Sequence, residues 1–187
     1  MTTTTTPVPP VRRAVSVSWD QAAAFRRFTA DFGRWWPRRT LSIGGDRTTR
    51  IDFECRVGGR IYEELEDGRR FQWGKVTAWD PPQRVAFTWH PSREEREAQD
   101  VEIRFMPEGA GTRVELVSTG WERLGARARS ERRGYGIGWQ WVLDGWAGRR
   151  STAGVAFGVL VSVMGLVLRL KGTRDREIDR AGGRIVA

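Results

Sequence analysis

Apolar and polar positions alternate on both arms of the stretch 71–89, FQWGKVTAWDPPQRVAFTW. Phe71, Trp73 and Trp79 lie on one arm, and Val85, Phe87 and Trp89 lie on the other. Alternation at period two places each set on one face of a strand. Pro81 and Pro82 lack the N–H that a ladder needs, so they mark the connection of an antiparallel hairpin. Its apolar face is very aromatic, and either a large element or a ligand must cover it.

The same period recurs on either side of this hairpin. Val11, Val15 and Val17 indicate a first strand, and Asp20 is placed to cap the helix that follows. Phe25, Phe28, Phe32 and Trp36 repeat at helical spacing, with Gly33 and Pro37 breaking the helix into a main part and a short extra turn. Residues 41–50 read as a connecting loop. Its Gly44-Gly45 pair lacks the lysine and the strand-to-helix setting of a phosphate loop. Ile51, Phe53, Cys55 and Val57 alternate with Asp52, Glu54 and Arg56. Gly58-Gly59 then turns the chain into a partner strand over residues 60–66, and Asp67-Gly68 is a strong hairpin signal. After a charged loop over residues 91–100, Val101, Ile103 and Phe105 form one strand and Val114 and Leu116 another. Residues 125–148 read as a long helix with Tyr135, Trp139, Val142, Leu143 and Trp146 on one face. The predicted fold class is α+β: a curved antiparallel sheet of six to seven strands wrapped around a long C-terminal helix. The expected organisation is a disordered N-terminus over residues 1–10, a domain over residues 11–148, and an extension over residues 149–187.

The order and the local motifs resemble the START/SRPBCC superfamily, the helix-grip fold of the birch-pollen allergen. Within it they are most similar to the homologues of the activator of the heat-shock-protein-90 ATPase. The resemblance rests on Phe32-Gly33-Arg34-Trp35-Trp36-Pro37, Val57-Gly58-Gly59-Arg60-Ile61 and Gly74-Lys75-Val76 with Trp79-Asp80-Pro81-Pro82. It continues through Arg84-Val85-Ala86-Phe87-Thr88-Trp89, Gly111-Thr112-Arg113-Val114-Glu115-Leu116 and Gly138-Trp139. It implies the same fold that the periodicity indicates. It leaves function open, because members bind lipids, sterols or polyketides, and some are cyclases or co-chaperones.

Ten tryptophans in 187 residues change the picture further. Wide rings on a concave sheet and on its covering helix favour an apolar pocket between them. The residues expected to line it are Trp36, Phe53, Trp73, Phe87, Trp89, Phe105, Tyr135 and Trp139. The function expected is therefore the binding of a small hydrophobic ligand, lipid-like or polyketide-like. The alternatives are a co-chaperone-like interaction module and an enzyme of the cyclase or hydrolase type.

No catalytic set emerges. His90, the single histidine, has opposite parity to Phe87 and Trp89 and is expected to be an exposed structural residue. Cys55 is expected as a small core residue. Glu63 shares the parity of Ile61 and Leu65 and could carry a carboxylate into the interior; the preferred reading is a partly exposed Glu paired with an arginine. One His, one Cys and scattered carboxylates give no metal-ligand spacing, and no cofactor is expected.

The formal net charge is +9, and every basic residue except Lys75 and Lys171 is arginine. Arginines alternate with Glu and Asp neighbours, and no nucleic-acid motif accompanies them, so a nucleic-acid partner is not expected. A lone cysteine excludes an intrachain disulfide. A core of about 140–150 residues buries roughly 68–70% of its unfolded surface and needs none. No secretory leader precedes the first strand, which points to the cytoplasm. The uncharged run at residues 151–168, from Ser151 through Leu168, lies between Arg149-Arg150 and Arg169. It is at the lower limit of a bilayer-spanning helix, and Gly154, Gly158 and Ser162 form a small-residue stripe. Membrane association through this run is expected, with a buried or dimerising helix as the rival. A charged tail follows it. The oligomeric state is left open.

Overall fold

The structure is a computed structural model that describes residues 8–149. The expectations for the first seven residues and for the apolar run at 151–168 lie outside the described residues. Among the described residues, no helix is long and apolar enough to cross a membrane.

Seven strands form one antiparallel sheet: β1 (Val11–Val17), β2 (Thr48–Phe53), β3 (Arg60–Leu65), β4 (Arg70–Asp80), β5 (Arg84–Trp89), β6 (Gln99–Glu108) and β7 (Gly111–Thr119). Strands β2 to β7 run as a meander, and β1 closes against β7, giving the order β1-β7-β6-β5-β4-β3-β2. Between β1 and β2 come α1 (Gln21–Thr29), α2 (Phe32–Trp35) and α3 (Arg38–Leu41). After β7, a 3-10 stretch (Trp121–Arg127) leads into the long α4 (Ala128–Trp146). This is the α+β helix-grip arrangement, with the sheet curled around α4.

Period two decides which face is buried. Val15, Val114, Leu116, Val101, Ile103, Phe105, Val85, Phe87, Trp89, Trp73, Ile61, Ile51 and Phe53 all point inward and join one core. The outer face carries arginines beside carboxylates. Arg84 reaches Asp80 at 2.7 Å and Glu102 at 3.1 Å, Arg104 reaches Glu102 at 2.6 Å, and Arg113 reaches Glu115 at 2.8 Å. Such solvated pairs add little net stability. They answer much of the arginine richness with local pairing rather than with one basic binding face.

Asp20 caps α1 as expected, its Oδ1 accepting from the Ala23 N–H at 2.8 Å. The short α2 can lie against β2 only because residue 33 is glycine. A Cβ there would stand 2.2 Å from the Ile51 carbonyl oxygen. Pro37 disfavours helical geometry in the residue before it. Trp36 accordingly leaves the helix at φ −60°, ψ 134° and turns into the interior. Helix α4 is tied to β1 by side chains from both: Arg13 Nε donates to the Gly136 carbonyl at 2.8 Å, and Arg132 Nε donates to the Pro9 carbonyl at 2.5 Å.

Two strand limits differ from expectation. The Ile51–Phe53–Cys55–Val57 alternation does not continue as a strand beyond Phe53. Residues 54–59 fold into a tight turn in which Arg56 N donates to Glu54 O and Gly59 N to Arg56 O. Cys55 is therefore exposed rather than a core residue, and Val57 is also exposed. At the other end of the same hairpin, β2 starts at Thr48, inside the stretch expected to be loop.

Candidate functional site

The interior between sheet and α4 is built from rings. Trp36 stacks on Phe32 with centroids 5.1 Å apart and planes 22° apart. It also meets Trp73 at 5.4 Å, Trp89 at 5.3 Å and Trp139 at 6.3 Å. Trp89 meets Trp139 at 5.3 Å, Trp73 at 5.5 Å and Phe87 at 5.9 Å. Phe53 joins through Phe87 at 5.7 Å. Six of the eight expected lining residues thus form one contact group drawn from the α2 end, three strands of the sheet's middle and β2 side, and α4.

Phe105 and Tyr135 stand apart from it. Phe105 packs against Phe25 at 5.2 Å and Phe28 at 5.8 Å, under α1. Tyr135 has its ring 5.3 Å from Trp121, and its hydroxyl accepts from Arg93 at 2.9 Å.

Within this apolar group the indole N–H groups of Trp36 and Trp139 are buried and have no acceptor, as does that of Trp146 near α1. A buried donor left unpaired carries a desolvation cost of about 1–3 kcal/mol. Trp73 differs, since its N–H approaches Glu63 Oε1 at 3.4 Å.

Glu63 corrects the sequence reading. It is fully buried and is not paired with an arginine. Its carboxylate accepts from Thr48 Oγ1 at 2.9 Å, from the Ile43 N–H at 2.8 Å and, more weakly, from the Gly44 N–H at 3.4 Å. The inward parity that it shares with Ile61 and Leu65 holds. What sequence alone does not reveal is that the 42–48 loop folds back to bring two amides onto it. Burial raises the carboxyl above its ordinary range, while the hydrogen bonds from Thr48, Ile43, Gly44 and Trp73 pull it back.

His90 is also corrected: it is 6% exposed. Parity fails here because β5 ends at Trp89 and the chain turns, with Arg93 N donating to His90 O at 3.0 Å. The imidazole folds over that turn, and its Nδ1 lies 3.2 Å from the Arg93 carbonyl oxygen. A carbonyl only accepts, so Nδ1 carries the proton. Burial lowers the imidazole pKa, and the nearby Arg93 charge lowers it further, against the raising effects of the Arg93 carbonyl and Glu95. The neutral ring then presents Nε2 as a bare lone pair, which is buried and unpartnered.

Arg93, which sequence reasoning placed in a charged loop, completes a polar corner beside the rings. One of its terminal nitrogens donates to Gln99 Oε1 at 2.5 Å and to the Tyr135 hydroxyl at 2.9 Å. The other stands 3.7 Å from Glu131. Its side chain is only 10% exposed, and its Nε is buried without a partner. Nothing in the sequence separates Arg93 from the other arginines of PSREERE; only the turn at His90 and the approach of α4 bury it. Among the described residues no group of three or more His, Cys, Asp or Glu side chains is arranged to hold a metal ion.

The fold has wide relatives. A protein from Mesorhizobium loti, MLL2253, superposes with a TM-score of 0.53 at 18% identity, over 74% of this chain and 94% of that one. The Aha1 dimer from Colwellia psychrerythraea gives 0.50 at 15% identity, over 75% and 97%. An anthrahydroquino-γ-pyrone synthase, Txn09, is 34% identical over 66% of this chain and 84% of its own, with a TM-score of 0.48. No protein of curated function matches the sequence. The model of the family described as activator of Hsp90 ATPase homolog 1-like protein matches residues 21–149, from α1 through the end of α4. The chain therefore belongs to the activator of Hsp90 ATPase homolog 1-like family, within the START/SRPBCC helix-grip fold.

Proposed function

We propose that this protein binds a small hydrophobic molecule between the inner face of the sheet and α4, without a catalytic step of its own. The observation that carries this reading is the pair of buried indole N–H groups of Trp36 and Trp139, left without acceptors in an otherwise apolar group of rings. An apolar ligand bearing a carbonyl or hydroxyl oxygen would gain ring contacts and satisfy the two unpaired donors. The residues assigned to it are Trp36, Phe53, Trp73, Phe87, Trp89 and Trp139, with Phe105 and Tyr135 at the two ends.

The rings touch one another, so entry requires α4 or Trp36 to shift. The covering helix is suited to that. It carries Gly134, Gly136, Gly138 and Gly145, each about 1 kcal/mol less favourable than alanine in a helix interior, so its helicity depends on its aromatic face. The same ring contacts support the second reading, a co-chaperone-like interaction module whose interior is simply filled.

Titration of the full chain with N-phenyl-1-naphthylamine separates the two. One saturable site with energy transfer from tryptophan is expected, and Trp139→Ala is expected to weaken it about tenfold or more. Binding that never saturates, or no binding, would select the interaction module.

A further inference from the structure

The polar corner at residues 90–93 follows Trp89 of the ring group along the chain, and Arg93 bonds Tyr135, one turn of α4 from the Trp139 that Trp89 touches. Its groups are unusual for a structural turn. Arg93 is held by Gln99, by Tyr135 and, more distantly, by Glu131. The first two are neutral acceptors, and the single carboxylate stands at 3.7 Å rather than in close hydrogen-bonded contact. A buried guanidinium is costly without a close counter-charge. Three residues away, His90 Nε2 offers an unpartnered lone pair, while Arg93 Nε offers an unpartnered N–H. One turn therefore holds a spare acceptor and a spare cationic donor, both buried.

Resting on the ligand-binding reading above, we infer that the ligand is an acid: its apolar body lies among the rings, and its carboxyl group is received by Arg93 and His90. One carboxylate oxygen accepts from Arg93 Nε–H, and the other accepts from His90 Nε2–H, the imidazole taking up one proton from solvent as the anion binds. The pairing supplies the counter-charge that Gln99 and Tyr135 cannot, and it uses both unpartnered atoms. Charge-assisted bonds of this kind are the stronger class. An ester of the same acid offers no charge to Arg93 and no anion to hold a proton on His90 Nε2, although its apolar body is unchanged.

The test compares 2-naphthoate with methyl 2-naphthoate on the full chain at neutral pH. The acid is expected to bind at least tenfold more tightly than the ester. In Arg93→Gln the acid should fall to the affinity of the ester or below it, while the ester should keep its wild-type affinity and so report an intact interior. If Arg93→Gln fails to fold, the wild-type ratio decides alone. Equal or tighter binding of the ester by the wild type overturns the acid and leaves the apolar site standing. A preference for the acid that survives Arg93→Gln overturns the assignment to that arginine. If neither compound binds, both the acid and the hydrophobic-ligand reading fall together.

Discussion

Trp89→Ala is expected to destabilise the fold by about 3–5 kcal/mol, the range for truncating a buried aromatic. Trp89 is 2% exposed and sits where the middle of the sheet meets the covering helix. Its ring touches Trp36, Trp73, Phe87 and Trp139. Deletion removes the transfer free energy of the indole and leaves a hole whose walls come from four separate elements, which cannot all relax into it. Urea melts of wild type and variant check this. A loss below about 1 kcal/mol would mean that the rings around position 89 close up freely, contrary to the packing described.

A second large effect is expected at Glu63. Glu63→Leu takes their carboxylate acceptor from the Ile43 and Gly44 amides and leaves the Thr48 hydroxyl only its longer contact to Ser42 Oγ at 3.4 Å. At roughly 1–3 kcal/mol for a buried group left unpaired, the Ile43 bond alone implies a loss of about 1–3 kcal/mol, and the weakened Thr48 bond adds to it. Glu63→Gln keeps an acceptor oxygen and should cost less. The two changes also differ in their pH dependence. Burial raises the folded-state pKa of Glu63 above its unfolded value. Over the interval between the two pKa values the native state holds the proton and the unfolded state does not. Stability from this group is therefore greatest below the unfolded pKa and declines as pH rises through the folded one. Wild type should accordingly lose stability relative to Glu63→Gln as pH climbs through that interval. His90 acts with the opposite sign, because burial lowers its folded pKa. Its unfolded form takes up a proton first on acidification, so its contribution weakens below about pH 6.5. Measuring Glu63→Gln against wild type at each pH cancels the His90 contribution. A stability difference that grows in favour of wild type with rising pH would contradict the assignment of Glu63 as a desolvated carboxyl.

The sheet was legible because most of its strands bury one face, so period two survives along β5, β6 and β7. It misled where the chain left the ladder while its alternation continued. Cys55 and Val57 keep the rhythm of β2, but Glu54 and Arg56 accept turn hydrogen bonds and the chain has already turned. His90 broke the rhythm by one residue and is nevertheless buried, because the turn that follows folds it inward. The hairpin at 71–89 shows a milder form of the same problem. Its β4 register shifts between Val76 and Ala78, opposite β5, where a Cβ on Gly74 would meet the Thr88 carbonyl oxygen at 1.8 Å. Trp79 consequently sits at the edge of the core, 5.0 Å from Phe25, rather than in line with Trp73.

The candidate site divides in the same way. Its aromatic wall was readable from composition and parity, since rings on inner faces must meet something. Its polar groups were not. Glu63 depends on amides contributed by a loop 20 residues away, and Arg93 depends on Tyr135 of α4, 42 residues away. Both are long-range contacts that no local spacing encodes. Distinguishing a filled aromatic core from a closed binding site likewise requires knowing which indole N–H groups find acceptors, and Trp73 does while Trp36 and Trp139 do not.

The most direct test of ligand binding in this interior is the urea midpoint of the full chain at increasing concentrations of methyl 2-naphthoate, a neutral probe that does not depend on Arg93. A ligand that binds only the folded state stabilises it by RT ln(1 + [L]/Kd), about 2.7 kcal/mol at a hundredfold excess over Kd. The account predicts a midpoint that rises with the logarithm of probe concentration at an unchanged slope m, and a smaller rise in Trp139→Ala. A midpoint that stays fixed across the whole range of probe concentration would contradict it.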